Sequence, residues 1–497
     1  MEIGTDPTSP ATQASLARRA AEVVGRSQVD AGGPSRTVLM VLYHFPPGGG
    51  ISMARNVRNV QYLPRFGWTP IVVAPRGAGE LTDLDAMALV SSATRLVRAW
   101  SPEPRHLGRA VALARRVGRR PGRSSGVPAN ASPDEPSGGG PPLTAGPSRL
   151  SWLRRLAFFP DDQIGWLPFA VFAALRAHRE SPFDAIYSTS SPVSAHLVAG
   201  IVKKLTGVPW VAEFRDPWVG NPLAGPLPWF HRRLQRRIER WIVRSADRTV
   251  FLSPTTCRGY RRRYPDAAEM SVITNGHDAS ETVTRPPAAP RSGPFRIVWT
   301  GTLYRPDELR VFLQALKNLA AKRPGLVGQL EVVFYGGMEG SCRTIADHFL
   351  ADAALDAIVS FPGFVPRRTA LEAVAESDAA LVMLGAGRGM GQFVPGKLFD
   401  YIGQSRQVLA VLPPGDARAI LRDLDWGVVA DPVAPDIERA IEQLLDTSPP
   451  VRLADVAGKY DRITLAGRLA DVLGEATEAG SGGQCGRSRK RSSPRVE

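Results

Sequence analysis

The sequence predicts an α/β protein built from two doubly wound parallel sheets that face each other across a cleft. Short apolar runs bounded by turn residues alternate with segments of helical apolar spacing, and this alternation occurs twice along the chain. A stretch with four prolines at 279–294 separates the two series and indicates a linker. The length of 497 residues exceeds what one ordinary core needs, which agrees with two large domains.

The first series predicts a domain over residues 37–278. Its apolar runs are short and nearly continuous, as in strands that are buried on both faces of a parallel sheet. The predicted strands are 37–43, 69–74, 183–188, 210–214, 249–252 and 271–274, and the predicted helices are 51–66, 164–178, 192–205 and 229–244. Residues 1–36 lack a sustained apolar period and are predicted to be disordered. Residues 76–150, rich in Pro, Gly, Ser and Arg, are predicted to be a partly disordered insertion.

The second series predicts a domain over residues 295–477. Its predicted strands are 295–299, 330–334, 357–360, 379–384, 408–412 and 427–430, with helices between them and one more at 435–445. Residues 478–497 are rich in Gly, Ser and Arg and are predicted to be a disordered basic tail.

The composition narrows the class of protein. Three cysteines without a CxxC pair argue against a disulfide framework and a structural zinc site, and no apolar run reaches the length of a membrane-spanning helix. The opening residues also lack the features of a secretory signal, so we expect a cytoplasmic protein. The net charge of +15 is concentrated at 95–123 and 227–263. Such patches indicate an anionic partner, or else they reflect an arginine-rich composition.

Two strand ends carry residues suited to a phosphate group. Gly48, Gly49 and Gly50 follow the first strand and precede a helix, where the backbone can approach a ligand and the helix N-terminus attracts anions. A sharp turn without a ligand is the alternative. Gly301 ends the first strand of the second series, and Arg305 begins the next helix. That arginine can neutralise a diphosphate, although a solvated surface arginine gives the same pattern.

The segment Pro395–Tyr401 is the most informative one. A proline at a helix start places Lys397 and the free backbone N–H groups at one terminus, which suits a phosphate. Lysine is scarce in this chain, so its presence here is informative. Asp400 lies one turn later on the same helix face and could accept hydrogen bonds from a ribose diol. Its alternative role is to complement the positive end of the helix.

Acidic residues beside an arginine follow a strand of the first series. Glu213, Arg215 and Asp216 could form the polar floor of an acceptor site, with an acid poised to accept a proton. They could equally form an ion pair that only shapes the loop. Two D-x-D pairs, at 83–85 and 423–425, lie away from strand ends, so the sequence predicts no metal site.

Taken in order, these segments resemble the family 4 glycosyltransferases of the GT-B fold, whose two domains are Rossmann-like. Each motif is weak alone, but their order and spacing are specific, and they cover the chain from Thr37 to about Ala476 without the insertion. The motifs are Tyr43–Gly50, Tyr62–Trp68, Ser188–Pro192, Trp210–Trp218, Ile273–Gly276 and Lys397–Tyr401.

The resemblance implies transfer of a sugar from a nucleoside-diphosphate donor that is held mainly by the second domain. It also implies retention of anomeric configuration, with no metal or other cofactor required. The family's E-x7-E pattern falls on Gln392 and Asp400, which would face the donor sugar and bind the ribose. Lys397 and Arg305 would hold the diphosphate and neutralise the leaving group. The neutral Gln392 and the shorter Asp400 both depart from the family's pattern.

On the acceptor side, Arg215 and Asp216 stand where some relatives carry a histidine, and we assign the catalytic role there to these two residues. The expected acceptor is a polysaccharide, a lipid-linked saccharide or another cell-envelope component. The segment 229–244 interleaves aromatic and aliphatic residues with arginines, which suits contact with the anionic inner face of the plasma membrane. Alternatively, its apolar stripe only packs on its own sheet.

Three other functions remain open from the sequence. A sugar-nucleotide epimerase has the same two-domain architecture. A nucleic-acid-binding protein could use the arginine-rich segments, although no stacking platform of aromatic residues supports it. An inactive scaffold is suggested only by Gln392.

Overall fold

The computed structural model describes residues 35–47, 51–76, 84–91, 94–102, 159–225, 227–283, 293–446 and 458–488. These residues form two parallel sheets, one of seven strands and one of six, with helices between the strands. The predicted fold class of two doubly wound, Rossmann-like domains is therefore confirmed.

The first sheet is doubly wound about its first strand. Its strands are β1 (Arg36–Val41), β2 (Trp68–Pro75), β3 (Arg95–Ala99), β4 (Ala185–Ser190), β5 (Trp210–Phe214), β6 (Arg248–Phe251) and β7 (Met270–Val272). They pair in the order β3-β2-β1-β4-β5-β6-β7. The direction of winding changes between β1 and β4, which are paired from Val38↔Ala185 to Val41↔Ser188. In such sheets ligands bind beyond the carboxyl ends of the strands at this switch point.

Helices cover both faces of the first sheet. They are α1 (Ile51–Tyr62), α2 (Leu84–Ala88), α3 (Leu167–Glu180), α4 (Ser194–Thr206), α5 (Trp229–Ser245) and α6 (Pro254–Arg263). One core lies between the sheet and α3 to α6, and a second core lies between the opposite face, α1 and α2. Because both faces are covered, the central strands β4 and β5 are buried along their whole length, including the polar Ser188, Thr189 and Ser190 of β4 and Glu213 of β5.

The second sheet repeats this arrangement. Its strands are β8 (Phe295–Thr300), β9 (Leu330–Tyr335), β10 (Val359–Gly363), β11 (Ala379–Met383), β12 (Gln407–Val411) and β13 (Val428–Ala430), paired in the order β10-β9-β8-β11-β12-β13. Its helices are α7 (Pro306–Lys322), α8 (Gly340–Leu350), α9 (Ala353–Ile358), α10 (Arg367–Glu376), α11 (Gly396–Gly403), α12 (Asp416–Leu424) and α13 (Ala434–Asp446). The switch point lies between β8 and β11.

The last helix returns to the first sheet. Helix α14 (Arg462–Ser488) packs its apolar side on the first sheet and α1 through a helically spaced set: Leu465, Leu469, Val472, Leu473 and Ala476. The predicted second domain, 295–477, therefore contributes its final helix to the other domain. The helix also continues into the segment 478–497, which was predicted to be a disordered tail. We call the first sheet with α1–α6 and α14 the first lobe, and the second sheet with α7–α13 the second lobe.

The segment 76–150 was predicted to be an insertion, yet part of it belongs to the first sheet. Strand β3 pairs with β2 from Ile71↔Arg95 to Pro75↔Ala99. Strand β3 was not predicted, because it is a half-exposed edge strand that carries two arginines and therefore shows no continuous apolar run. Helix α2 also lies within this segment. Residues 77–83, 92–93 and 103–150 of the predicted insertion, the predicted lead-in up to residue 34 and most of the linker at 284–292 lie outside the described residues.

Candidate functional site

The carboxyl ends of the strands of both lobes meet at a small cavity. The first lobe contributes Arg215, Asp216, Pro217, Leu252 and Ser253, and the second lobe contributes Gln392, Phe393 and Val394. Asn275 also lines the cavity and belongs to residues 273–278, the segment after β7 that we call the hinge. The cavity holds about 50 Å³, whereas pockets for ligands of drug size hold roughly 300–1,000 Å³. A ligand of drug size would therefore fit here only if the lobes separated. One contact that closes them is formed by Thr255, whose N–H and hydroxyl donate to the Asp416 carboxylate at 2.9 and 2.7 Å.

Two predicted catalytic residues, Arg215 and Asp216, follow β5 and line this cavity. The Asp216 carboxyl group is open to the solvent of the cleft but is flanked by both lobes. This partial burial raises its pKa, and the neighbouring Arg215 opposes the increase. Tyr304 of the second lobe is close enough for the Asp216 charge to raise the pKa of its phenol, although burial is the larger cause. A carboxyl group with a raised pKa at the cleft is a suitable proton acceptor.

Glu213, which was predicted to bind substrate, lies in the core instead. Its side chain is 0% exposed and forms an ion pair with Arg55 of α1, with Nη2 and Oε2 2.6 Å apart. Thr189 donates a further hydrogen bond to it at 2.9 Å, and Arg55 also donates to the carbonyl oxygens of Ile273 and Thr274. The prediction was wrong for Glu213 because residues alternate along a strand: Glu213 lies within β5, while Arg215 and Asp216 lie beyond its end. Glu213 therefore joins α1, β4 and the hinge.

Lys397 lies where the second lobe was predicted to hold a diphosphate. Its amine is 3.1 Å from the centroid of the Trp299 ring. It is also 3.0 Å from the position that a Cβ atom on Gly301 would occupy, and Gly301 has a φ of +121°, so both space and backbone conformation favour glycine there. Burial lowers the pKa of Lys397 to about 7, although Glu308 and Asp400 favour its charged form. The Lys397 amine is thus positioned jointly by the end of β8 and the start of α11.

Arg305 is paired with Glu308, whose carboxylate also interacts with the Lys397 amine. Its Nε is 2.5 Å from Oε1 of Glu308, one turn along α7, and the same oxygen accepts a hydrogen bond from the Gly385 N–H at 2.7 Å. Burial raises the pKa of Glu308. Sequence reasoning missed Glu308, although an acid one turn after Arg305 in the first turn of a helix was a usable signal. Glu308 thus stabilises the charge of both cations at this site.

Asp400, the predicted ribose ligand, belongs to a chain of ion pairs between the lobes. Its Oδ1 is 3.0 Å from Nη2 of Arg367, and Arg367 also pairs with Glu281 at 2.6 Å. Glu281 in turn pairs with Arg58 of α1 at 2.7 Å. A ribose diol would therefore have to share Asp400 with Arg367. Arg367 and Glu281 could not be identified as partners from the sequence, because each lies more than thirty residues from Asp400 along the chain.

The remaining predicted ligands are only partly accounted for. Gln392 lines the cavity between the lobes, and its contact with a donor sugar stays a prediction. Gly48, Gly49 and Gly50 lie outside the described residues. Over the described ranges, no group of three His, Cys, Asp or Glu side chains could hold a metal ion. The helices that the structure describes include none that is long and apolar enough to cross a membrane.

The lowered pKa of Lys397 predicts how anion binding depends on pH. In the free protein the amine is charged below about pH 7, and a bound diphosphate would raise its pKa because it stabilises the charged form. We therefore expect the affinity for a nucleoside diphosphate to fall by up to about tenfold per pH unit above pH 7, as binding must take up a proton. Isothermal titration from about pH 7 to pH 9 measures this slope. Lys397→Arg, which stays charged, should abolish it, and an equal slope in both proteins would exclude Lys397 as its source.

One sequence family matches part of the chain. Residues 123–276 match the profile of the glycosyl transferase 4-like domain. The search of curated proteins returned no match.

Solved structures share the fold of nearly the whole chain. The N-terminal domain of trehalose-6-phosphate phosphatase from Candida albicans has a TM-score of 0.59 and 11% identity, and the match covers 90% of this chain and 99% of that one. HepE from Anabaena, in complex with UDP, has a TM-score of 0.56 and 14% identity, with 88% and 100% covered. Sucrose-phosphate synthase from Thermosynechococcus elongatus has a TM-score of 0.53 and 14% identity, with 92% and 100% covered.

Proposed function

We propose that this chain is a family 4 glycosyltransferase of the GT-B fold and that it transfers a sugar from a nucleoside-diphosphate donor to a carbohydrate or lipid-linked acceptor of the cell envelope. The match of residues 123–276 to the glycosyl transferase 4-like domain supports the family. The observation that carries the proposal is the position of Lys397. Its amine lies beside Gly301 and Trp299 at the end of β8, and the carboxylate of Glu308 interacts with both this amine and Arg305. The related fold of HepE was solved with UDP bound, which supports a nucleotide donor.

Two cations would stabilise the leaving group. As the bond between the sugar and the diphosphate breaks, negative charge develops on the diphosphate, and fixed cations in a desolvated site stabilise that charge. Lys397 and Arg305 are the cations at the end of β8, and Glu308 holds Arg305 at 2.5 Å until the donor arrives. We propose that these two residues make a metal or other cofactor unnecessary and that the anomeric configuration is retained.

The acceptor would enter from the side of the first lobe. Asp216 lines the cavity and its pKa is raised by burial, so it can accept the proton of an acceptor hydroxyl as the new glycosidic bond forms. Arg215 beside it would keep the carboxylate oriented. Gln392, across the cavity, can donate and accept hydrogen bonds and would bind the hydroxyl groups of the donor sugar.

Helix α5 supports contact with an anionic membrane surface. Its buried side is largely polar: His231, Gln235 and Glu239 point inward, and Glu239 accepts a hydrogen bond from the Val219 N–H at 2.8 Å. Its outward side combines apolar and cationic side chains, of which Trp229 is 73% exposed. The other exposed members are Arg232, Arg233, Leu234, Arg236, Arg237, Arg240 and Trp241. We propose that this side rests on the inner face of the plasma membrane.

A donor panel tests the proposed function. We expect one nucleoside-diphosphate sugar to raise the melting temperature of the wild-type protein and to be consumed, with release of free nucleoside diphosphate, only when an acceptor is added. NMR of the product gives the anomeric outcome. Conversion of the donor to an epimer without acceptor would favour an epimerase instead. Affinity for nucleic acid that falls steeply with salt, in the absence of any donor effect, would favour the nucleic-acid-binding alternative.

A further inference from the structure

A second and larger cavity lies at the edge of the first lobe. It holds about 560 Å³ and runs between the edge strand β3 and helix α3. This volume is within the range of about 300–1,000 Å³ that ligand pockets occupy. We call it the edge groove, and none of the predicted site residues lines it.

One wall of the edge groove is aromatic. Trp100, Phe169 and Phe172 line it, and these side chains are 56%, 37% and 68% exposed. Trp100 and Phe169 meet edge to face with their ring centroids 4.9 Å apart. Large apolar side chains that share one exposed surface indicate a contact with an apolar partner.

The rim of the edge groove is cationic. Arg76, Arg95, Arg98 and Arg176 line it, and Glu180 is the acidic residue among the lining side chains. Glu180 is already paired with both Arg95 and Arg176. The lining therefore carries a net positive charge next to an apolar wall, which complements a molecule that has a hydrocarbon part and an anionic part.

One end of the groove lies at the carboxyl ends of β2 and β3, at the same edge of the sheet as the cavity between the lobes. Arg76 follows the carboxyl end of β2, and its N–H donates to the carbonyl oxygen of Ala99 at 2.7 Å. Arg98 donates to the carbonyl oxygens of Pro75 and Pro46, and Pro46 lies in the loop that follows β1. An anionic group held by Arg76 and Arg98 would thus lie near the switch point of the first sheet.

We propose that the edge groove binds a phosphorylated lipid, with its hydrocarbon chain on Trp100, Phe169 and Phe172 and its phosphate on Arg76 and Arg98. This inference rests on the proposed function, because it makes the acceptor a saccharide carried on a lipid phosphate. The chain would lie against the aromatic wall, and the phosphate would direct the saccharide toward the cleft between the lobes. The groove selects the acceptor by its lipid anchor rather than by its sugar.

Isothermal titration of the full-length protein with dodecyl phosphate, below its critical micelle concentration, tests this site. We expect dodecyl phosphate to bind, and dodecyl maltoside and inorganic phosphate to bind at least about tenfold more weakly, because each offers only one half of the required chemistry. Phe172→Glu and Arg76→Glu should each weaken dodecyl phosphate binding by about tenfold or more. Both side chains are exposed, so neither change should unfold the protein.

Matched controls keep the test specific. Phe364→Glu and Arg343→Glu alter exposed residues of the second lobe and should leave dodecyl phosphate binding unchanged. Binding that survives both groove substitutions, equal binding of inorganic phosphate, or no binding to the wild type would overturn the site. All four variants should keep the melting-temperature increase given by the nucleotide donor. If the donor does not raise the melting temperature of the wild type, the proposed function is contradicted. The titration with dodecyl phosphate still shows whether the edge groove binds a phosphorylated lipid.

Discussion

Replacing Lys397 with alanine should abolish stabilisation by the donor and lower kcat/KM by about 10²–10³, the range seen when one group that stabilises transition-state charge is removed. The amine lies 3.1 Å from the centroid of the Trp299 ring and beside Gly301. Removal of a partly desolvated amine also relieves a cost of burial. We therefore expect the melting temperature of the free variant to stay equal or to rise.

Thermal melts with and without the donor, together with steady-state kinetics, measure this effect. Lys317→Ala is the matched control, because Lys317 is an exposed lysine of α7 in the same lobe, paired with Asp352 at 3.4 Å. It should behave as the wild type does. If Lys397→Ala retains full donor stabilisation, the diphosphate is bound elsewhere and the proposed mechanism fails.

Replacing Arg55 with methionine should lower the free energy of unfolding by about 3–5 kcal/mol, because it leaves the Glu213 carboxylate without its counterion in the core. The pair is 3% and 0% exposed, and three hydrogen bonds join the two side chains. Arg55 also binds two carbonyl oxygens of the hinge. Its loss therefore affects the first lobe and the path of the chain between the lobes.

Urea unfolding of the single and double variants tests this prediction. Arg55→Met combined with Glu213→Leu should be more stable than Arg55→Met alone, because the double variant leaves no unpaired buried charge. Arg368→Ala removes one partner of an exposed pair, Arg368–Glu372, and should cost less than about 1 kcal/mol. A cost for Arg55→Met as small as that of Arg368→Ala would mean that water reaches Glu213.

The fold was more predictable than the site because its signals are local. The strands β5, β11 and β12 are mostly apolar and buried on both faces, and such runs are visible in sequence. Strand β3 escaped detection because an edge strand needs no continuous apolar run. Residues 462–477, which form the first part of α14, were assigned to the second domain because their sequence does not indicate which sheet they cover.

At the site, the sequence predicted which residues follow strands but not what they contact. Asp216, Gln392 and Lys397 lie at strand ends or helix starts, where position along the chain is enough to place them near the cleft. Glu213 and Asp400 were misjudged or incompletely described because their partners, Arg55 and Arg367, are distant in sequence. In a sequence, a carboxylate that forms a buried ion pair cannot be distinguished from one that binds a ligand until its partner is known.

The return of α14 to the first sheet has a consequence for synthesis on the ribosome. The first lobe begins at Arg36, yet Leu465, Leu469 and Leu473 complete one of its two cores. The apolar surface of this core therefore stays uncovered until α14 has emerged from the ribosome. The second lobe, whose strands all lie within 295–430, can finish folding earlier. Translation that stops before residue 462 would leave a folded second lobe attached to an incomplete first lobe that is prone to aggregate.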